Sequence, residues 1–344
     1  MGPEELLSTL PRLSLGVTRT PVEALALEGE AVDRIWVKRD DRSADCYGGN
    51  KVRKLELLLG EARARQAERV VTAGAFGSHH ALATTVYGRR EGFQVTLVLC
   101  PQSVTEKVRR ILRTNLELGA ELRVVPRMEL IPPALALARL RRSGGRPYVV
   151  PPGGSSVLGT FGYVAAGLEL AEQVADGELP EPDWVHVACG TMGTAAGLAV
   201  GLAMGGLYAR VKAVRVVGHL VANEGAFRRL LSATLRRVMK VTGHAPSLHD
   251  VMGRVHLDHG QLGEGYGKPT PAGEEARAIL GERGVELDPT YTAKAGAGLL
   301  ASVREEPQAV HLFWHTLSAS VPDVSPGPLP PNVPERLRRV LEEE

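Results

Sequence analysis

Val70-Val71-Thr72-Ala73-Gly74-Ala75-Phe76-Gly77-Ser78-His79-His80 reads as a short strand, a glycine-punctuated turn and the opening of a helix. Gln94-Val95-Thr96-Leu97-Val98-Leu99 then returns as a strand with a continuous apolar end, the pattern of a sheet covered on both faces. Strand, helix and strand in that order make a βαβ unit, and the alternation implies an α/β fold of parallel sheets flanked by helices.

Working outward, the alternation continues with a helix over about 104–118, the strand Leu122–Val125, a helix over about 133–142 and a closing segment at 147–154. A second series starts with a long helix over about 156–175 and the Pro-rich linker at 179–182. The strand at 184–188, a glycine loop at 189–194 and a helix over 195–204 follow. Next come a strand at 212–218, helices over about 224–241 and 271–283, and a last strand at 309–314. The tail from Pro322 to Pro334 reads as extended, and Pro334 to Glu344 as a short charged helix. No internal repeat is present.

Upstream of the first unit, Ile35–Asp41 reads as a strand ending in charges. It leads into Tyr47-Gly48-Gly49-Asn50-Lys51-Val52-Arg53-Lys54-Leu55-Glu56, a tight turn running into an apolar helix over about 51–66. Asn50 suits an N-cap and puts Lys51 in the first helical turn. The positive end of the helix dipole and the charge of Lys54 both disfavour an ammonium there. That yields a nucleophilic amine of the kind a Schiff-base lysine needs, or else an ordinary capped helix with solvent lysines.

The 344 residues suggest two domains or one large α/β unit. At 44% hydrophobic and 23% charged residues, with a net charge of +2, the chain carries no strong field for nucleic acid or a membrane surface. No apolar run reaches the ~18 residues of a spanning helix, and the first residues do not read as a signal peptide. Cys46, Cys100 and Cys189 form neither a disulfide framework nor a metal pattern, so a cytoplasmic setting is expected.

The loop Cys189-Gly190-Thr191-Met192-Gly193-Thr194 follows a buried-type strand and opens a helix, where glycines, free N–H groups and threonine hydroxyls can receive a phosphate. It is neither a P-loop nor a dinucleotide fingerprint, and a glycine turn serving close helix packing is the alternative. Ser78 can cap a helix, bind a carboxylate or act as a nucleophile. His244, His249, His256 and His259 lack a metal-ligand pattern, so no metal is expected. Tyr266 stands between glycines, and Tyr291 opens a small-residue helix; each can be a site phenol or a packed ring.

Taken together, from about Leu15 to Ser318, the chain resembles the fold-type II pyridoxal-phosphate enzymes. Within them it is similar to the family of 1-aminocyclopropane-1-carboxylate deaminase and D-cysteine desulfhydrase. The shared stretches are Lys-Arg-Asp-Asp at 38–41, Gly-Gly-Asn-Lys at 48–51, Ser-x-His at 78–80 and the loop at 190–197. Gly-Tyr-Gly at 265–267, Asp-Pro-x-Tyr at 288–291 and His-Thr at 315–316 complete them.

The resemblance implies a two-domain, tryptophan synthase β-like enzyme with pyridoxal 5'-phosphate in the cleft between domains. Its large cofactor-binding domain would comprise 1–50 and 156–321, its small α/β domain 51–155, with 322–344 as a Pro-rich tail. A homodimer acting on a small amino acid is expected. Lys51 matches the lysine that forms the internal aldimine and moves the substrate proton. Lys54 and Gly190, Thr191, Met192, Gly193 and Thr194 match the phosphate contacts, and Ser78 the serine beside the substrate carboxylate. Tyr266 and Tyr291 match the two active-site tyrosines.

Thr292 and Thr316 stand where the ring-opening deaminases typically have Glu and Leu, which is the desulfhydrase-like choice. A Glu would keep the pyridine nitrogen protonated. A hydroxyl makes a weaker electron sink, one suited to β-elimination of a thiolate. The expected activity is therefore a lyase giving keto acid, ammonia and sulfide. The alternatives are an aminocyclopropane-carboxylate deaminase and a homologue that binds cofactor without turnover. His79 replaces the family's usual Asn near the cofactor's phenolic oxygen, Met192 a common glycine, and Leu317 a late glycine.

Overall fold

In a computed structural model the described residues are 1–344 except 18, 27–33, 141–144, 325–326, 332 and 343–344. The ends of the helices read at 133–142 and 334–344, and parts of the tail, lie outside the described residues. The architecture is the expected α/β one, and the chain divides into two compact units. One comprises Met1–Leu10, Gly16–Lys54 and Ser155–Ser320; the other comprises Pro11–Leu15, Leu55–Gly154 and Val321–Glu344.

The first unit is built on a six-stranded sheet in the order Val22–Ala24, Ile35–Lys38, His311–Trp314, Trp184–Cys189, Arg210–Arg215 and Val255–Asp258. Its first pair is antiparallel and the rest parallel, with Phe313 opposite Val37 and Cys189 opposite Arg215. The two central strands, 311–314 and 184–189, are buried along their whole length, as mainly apolar strands covered on both faces are. On one face, Val214, Val216 and Phe313 pack with Ala276, Leu280, Ala293 and Leu299 of the helices Pro271–Gly281 and Thr292–Glu305. The helices Val157–Ala175 and Gly193–Met204 approach so closely that a Cβ at Gly201 would lie 2.2 Å from the Val164 carbonyl oxygen.

The second unit holds a four-stranded parallel sheet in the order Glu121–Val124, Gln94–Cys100, Arg69–Ala75 and Pro147–Val149. Leu97 and Leu99 meet Leu112 and Leu116 of the helix Glu106–Glu117 in its core. The helix Glu335–Glu342 adds Leu337 to that core, and Val333 joins it, so the tail carries packed apolar side chains as well as charges.

Several boundaries differ from the sequence reading. The helix after the glycine loop starts at Gly193, and the strand read at 212–218 spans Arg210–Arg215. The short strand Val22–Ala24 and the strand Val255–Asp258 went unread. Both lie at the edges of the sheet, where one partner strand suffices and the apolar signal is weak.

Candidate active site

Lys51 is the first residue of the helix Lys51–Ala64. The amide of the residue before it also has partners of its own that the sequence does not suggest. Asn50 Oδ1 accepts a hydrogen bond from Lys51 Nζ at 2.6 Å, and Asn50 Nδ2 donates to Thr194 Oγ1 at 3.0 Å. The Asn50 backbone N–H donates to the Thr316 carbonyl oxygen at 3.2 Å. Burial pulls the Lys51 amine down to about 8, against a weaker opposing pull from the Asp288 carboxylate. An amine near 8 is a fair nucleophile and proton acceptor at neutral pH.

The start of this helix is held by a buried charge network. Arg53 contacts Asp40 Oδ1 at 2.8 Å and Glu169 Oε2 at 2.6 Å, and Lys38 pairs with Glu169. Tyr163 and Trp314 donate to Asp40 Oδ2 at 2.6 and 2.7 Å. Two cations face two carboxylates, and their remaining valences are hydrogen-bonded. That pairing lets charges stay buried, and removing one partner would strand the others.

One turn on, Lys54 is buried with its Nζ 3.5 Å from Ser155 Oγ. Burial, helped by the charge on Lys51, holds its amine well below the usual lysine range. Ser155 Oγ lies 2.7 Å from Thr191 Oγ1 and accepts from the Gly193 N–H at 3.2 Å. A Cβ at Gly193 would intrude to 2.6 Å from Ser155 Oγ and 3.2 Å from Lys54 Nζ, so only glycine leaves this space open. An amine, two hydroxyls and the N-terminus of the helix Gly193–Met204 converge there, a donor set for a phosphoryl group. Met192 takes the left-handed conformation, φ 66°, which explains why glycine is common at such a position.

Tyr266 and Tyr291 place their hydroxyls 2.7 Å apart with the rings edge to face. Burial, then the neighbouring Tyr266, raises the Tyr291 phenol well above its usual value, so it stays protonated. Lys294, from the helix that Tyr291 precedes, donates to the Leu262 and Gly265 carbonyls at 2.7 and 2.8 Å. It thereby ties down the loop that carries Tyr266. Asp288 is buried and orders the other end. Its Oδ1 accepts from the N–H groups of Thr290 and Tyr291 at 2.9 and 2.8 Å. Its Oδ2 accepts from the Thr292 N–H at 3.1 Å and the Thr292 hydroxyl at 2.8 Å. His315, just before Thr316, lies with Nδ1 3.1 Å from Asp41 Oδ1. The Asp41 carboxyl is held at about 2: burial pushes it up, but His315 and Arg39 together outweigh that.

Ser78, His79 and His80 belong to the second unit. Ser78 caps the helix His79–Arg90, its Oγ accepting from the Ala81 N–H at 3.2 Å, which leaves its proton for another acceptor. His79 is half-buried at the first helical position. His80 is buried against Thr72 Oγ1 at 2.9 Å, a packing role.

The first unit thus brings together Lys51, Lys54, the 190–194 loop, Tyr266, Tyr291, Thr292 and Thr316. Ser155, Asp288 and Lys294 went unassigned in the sequence. Ser155 could have been suspected only from the Ser-Ser pair before a helix, where Ser156 is the cap. Among the described residues no group of three His, Cys, Asp or Glu side chains is placed to hold a metal. None of the described helices is long and apolar enough to cross a membrane.

The family model described as "Pyridoxal-phosphate dependent enzyme" matches residues 13–316. The nocardicin C-9' epimerase of Nocardia uniformis subsp. tsuyamanensis is 37% identical over 334 residues, 95% of this chain and 98% of the relative. A D-cysteine desulfhydrase of Salmonella paratyphi C is 34% identical over 325 residues, 90% of this chain and 94% of the relative. A crystal structure described as an ACC deaminase homologue superposes with a TM-score of 0.77 at 31% identity, covering 93% of this chain and 96% of its own.

Proposed function

Since this chain belongs to the family of pyridoxal-phosphate dependent enzymes, we propose that it is a lyase removing a β-leaving group from a small amino acid, with D-cysteine the model substrate. The residues fit the cofactor. The space kept open at Gly193, bounded by Ser155 and the buried Lys54, suits a phosphoryl group. A bound phosphate dianion would favour the charged form of Lys54, opposing the burial that lowers its amine. Bound pyridoxal 5'-phosphate supplies an electron sink for the pair left on the α-carbon.

The chain's own residues supply the rest. Lys54, Ser155, Thr191, Thr194 and the Gly193 N–H grip the phosphate. Lys51, with an amine near 8, takes the α-proton into its nitrogen lone pair. Tyr266 and Tyr291, their hydroxyls paired and Tyr291 kept as a phenol by burial, offer a proton to the departing thiolate.

One observation carries the choice of elimination: the Thr292 hydroxyl donates to Asp288 Oδ2. With its proton and one lone pair engaged by Asp288, this hydroxyl carries no charge with which to hold a proton on a ring nitrogen as a Glu would. The weaker sink suits a good leaving group better than a strained carbon–carbon bond. The test is keto-acid release from D-cysteine, β-chloro-D-alanine and aminocyclopropane-carboxylate. Preference for the last would overturn the reading.

A second reading, inversion at an amino-acid α-carbon, is supported by the same paired phenols and by the epimerase relative. Lys51 removes the proton and a phenol returns one. Exchange of the α-proton in deuterated water with inversion and without keto acid separates this from elimination.

A further inference from the structure

We propose that Asn50 is a positioning residue that couples occupancy of the phosphate cradle to the orientation of the Lys51 amine. The proposal rests on the cofactor reading above.

Asn50 is buried, and both ends of its amide are committed. Oδ1 accepts from Lys51 Nζ at 2.6 Å and Nδ2 donates to Thr194 Oγ1 at 3.0 Å. Rotating the amide by half a turn would set its NH2 group against the amine and its carbonyl against the hydroxyl. The Lys51 contact then keeps no acceptor unless the amine is neutral and turns its lone pair inward. The backbone on either side is also fixed. Gly49 N–H donates to the Asp40 carbonyl at 2.8 Å and Asn50 N–H to the Thr316 carbonyl at 3.2 Å. In the orientation the structure shows, the Asn50 carbonyl faces the amine and its NH2 group the Thr194 hydroxyl.

The chain of bonds has a direction. Thr194 accepts from Asn50, so its own proton is free to go to an anion in the loop. An anion that takes this proton pulls electron density through the hydroxyl. Thr194 Oγ1 becomes a better acceptor for Asn50 Nδ2, and the polarised amide carbonyl a better acceptor for Lys51 N–H. The amine is then held by one N–H bond with its lone pair turned outward, ready for a carbonyl carbon or an α-proton. With the loop empty the same bonds are weaker and the amine wanders. Phosphate binding and amine alignment become one event, although no bond joins Lys51 to the phosphate directly.

The coupling can be read with the phosphate supplied separately. The full-length apoprotein is mixed with pyridoxal, which lacks the phosphate, at about pH 9.5 so that the Lys51 amine is neutral. The rate of the visible band, as the amine forms a C=N bond and the carbonyl oxygen leaves as water, is measured with and without inorganic phosphate. Phosphate occupancy is followed independently by its ³¹P resonance. We expect phosphate to accelerate the wild type by about tenfold, the effect of one hydrogen bond. Asn50→Ala and Thr194→Val should each lose that acceleration while still binding phosphate through the other donors. The double variant should lose no more than either single one. A variant that binds phosphate and is accelerated as fully as wild type overturns the coupling alone. So does an Asn50→Ala variant that no longer binds phosphate, because Asn50 would then be part of the cradle itself. A wild type that forms no visible band even with pyridoxal 5'-phosphate overturns the cofactor reading and the coupling together.

Discussion

Thr292 gives its hydroxyl proton to Asp288 Oδ2 at 2.8 Å and takes the Asp288 N–H at 2.7 Å. This reciprocal pair closes the start of the helix Thr292–Glu305 and sets what position 292 can offer a ligand. We predict that Thr292→Glu combined with Thr316→Leu shifts activity from β-elimination toward ring opening. A carboxylate at 292 would bring a negative charge and hold a ring proton. It would also meet Asp288, so a loss of stability of about 1–3 kcal/mol is expected from the lost cap and like charges. Keto-acid release from D-cysteine and from aminocyclopropane-carboxylate, compared between wild type and variant, checks this. An unchanged ratio would refute it.

Lys51 should be the residue that bonds the cofactor. Lys51→Ala is expected to abolish the visible band and to cut turnover by at least about a thousandfold, since nucleophile and base are lost together. Borohydride reduction followed by peptide mapping should place the label on 51. The amine near 8 also sets a pH profile. Its neutral fraction rises about tenfold per pH unit below that value and levels off above it. Condensation of the apoprotein with a phosphate-free aldehyde should follow this curve. A plateau only above pH ~10 would show that burial does not lower the amine.

Ser155→Ala removes a hydroxyl that touches Thr191, Gly193 and Lys54. Cofactor affinity should fall by about 1–2 kcal/mol, and Thr194→Val should cost a similar amount. Titration of the apoprotein with pyridoxal 5'-phosphate measures both. Unchanged affinity in either variant would remove that residue from the cradle.

A pH-dependent stability term is expected from His186 and His311, which meet at 3.1 Å on adjacent strands. His311 Nε2 lies 3.1 Å from the Glu306 carbonyl and must donate to it, so neutral His311 accepts at Nδ1 and His186 donates from Nε2. His186 Nδ1 is then buried without a partner. Burial, with the nearby His311 and Lys212, lowers the His186 pKa well below its ordinary value, and burial also lowers that of His311. Both are neutral when folded and take up protons more readily when unfolded. Stability should therefore be full above the ordinary histidine value of about 6.5 and fall as pH drops below it. Thermal melts between about pH 8 and 5 should show a steeper acid loss for wild type than for His186→Gln/His311→Gln. Equal slopes would exclude the pair as the cause.

Where burial dominates, the sequence is readable. Trp184–Cys189 and Gln94–Cys100 are buried almost throughout and show as mainly apolar runs, so the parallel sheets and the α/β class follow from pattern alone. The helix that Lys51 opens is legible too, because a glycine pair runs into an apolar stretch there. Asn50 is different. Its residue type favours a cap, and only the approach of Thr194, distant in sequence, gives its amide better partners. Asp288 and Lys294 are equally silent, since their value lies in which backbone groups they reach. Pattern reports faces, whereas these roles depend on distances between remote segments.

The sheet of the first unit has a consequence in time. Its strand Ile35–Lys38 pairs with His311–Trp314, which is made long after it. Trp314 completes the hydrogen bonds on Asp40, and the Thr316 carbonyl receives the Asn50 N–H. The turn that presents Lys51 is therefore unfinished until that strand has been made and docked, although its own residues are made long before.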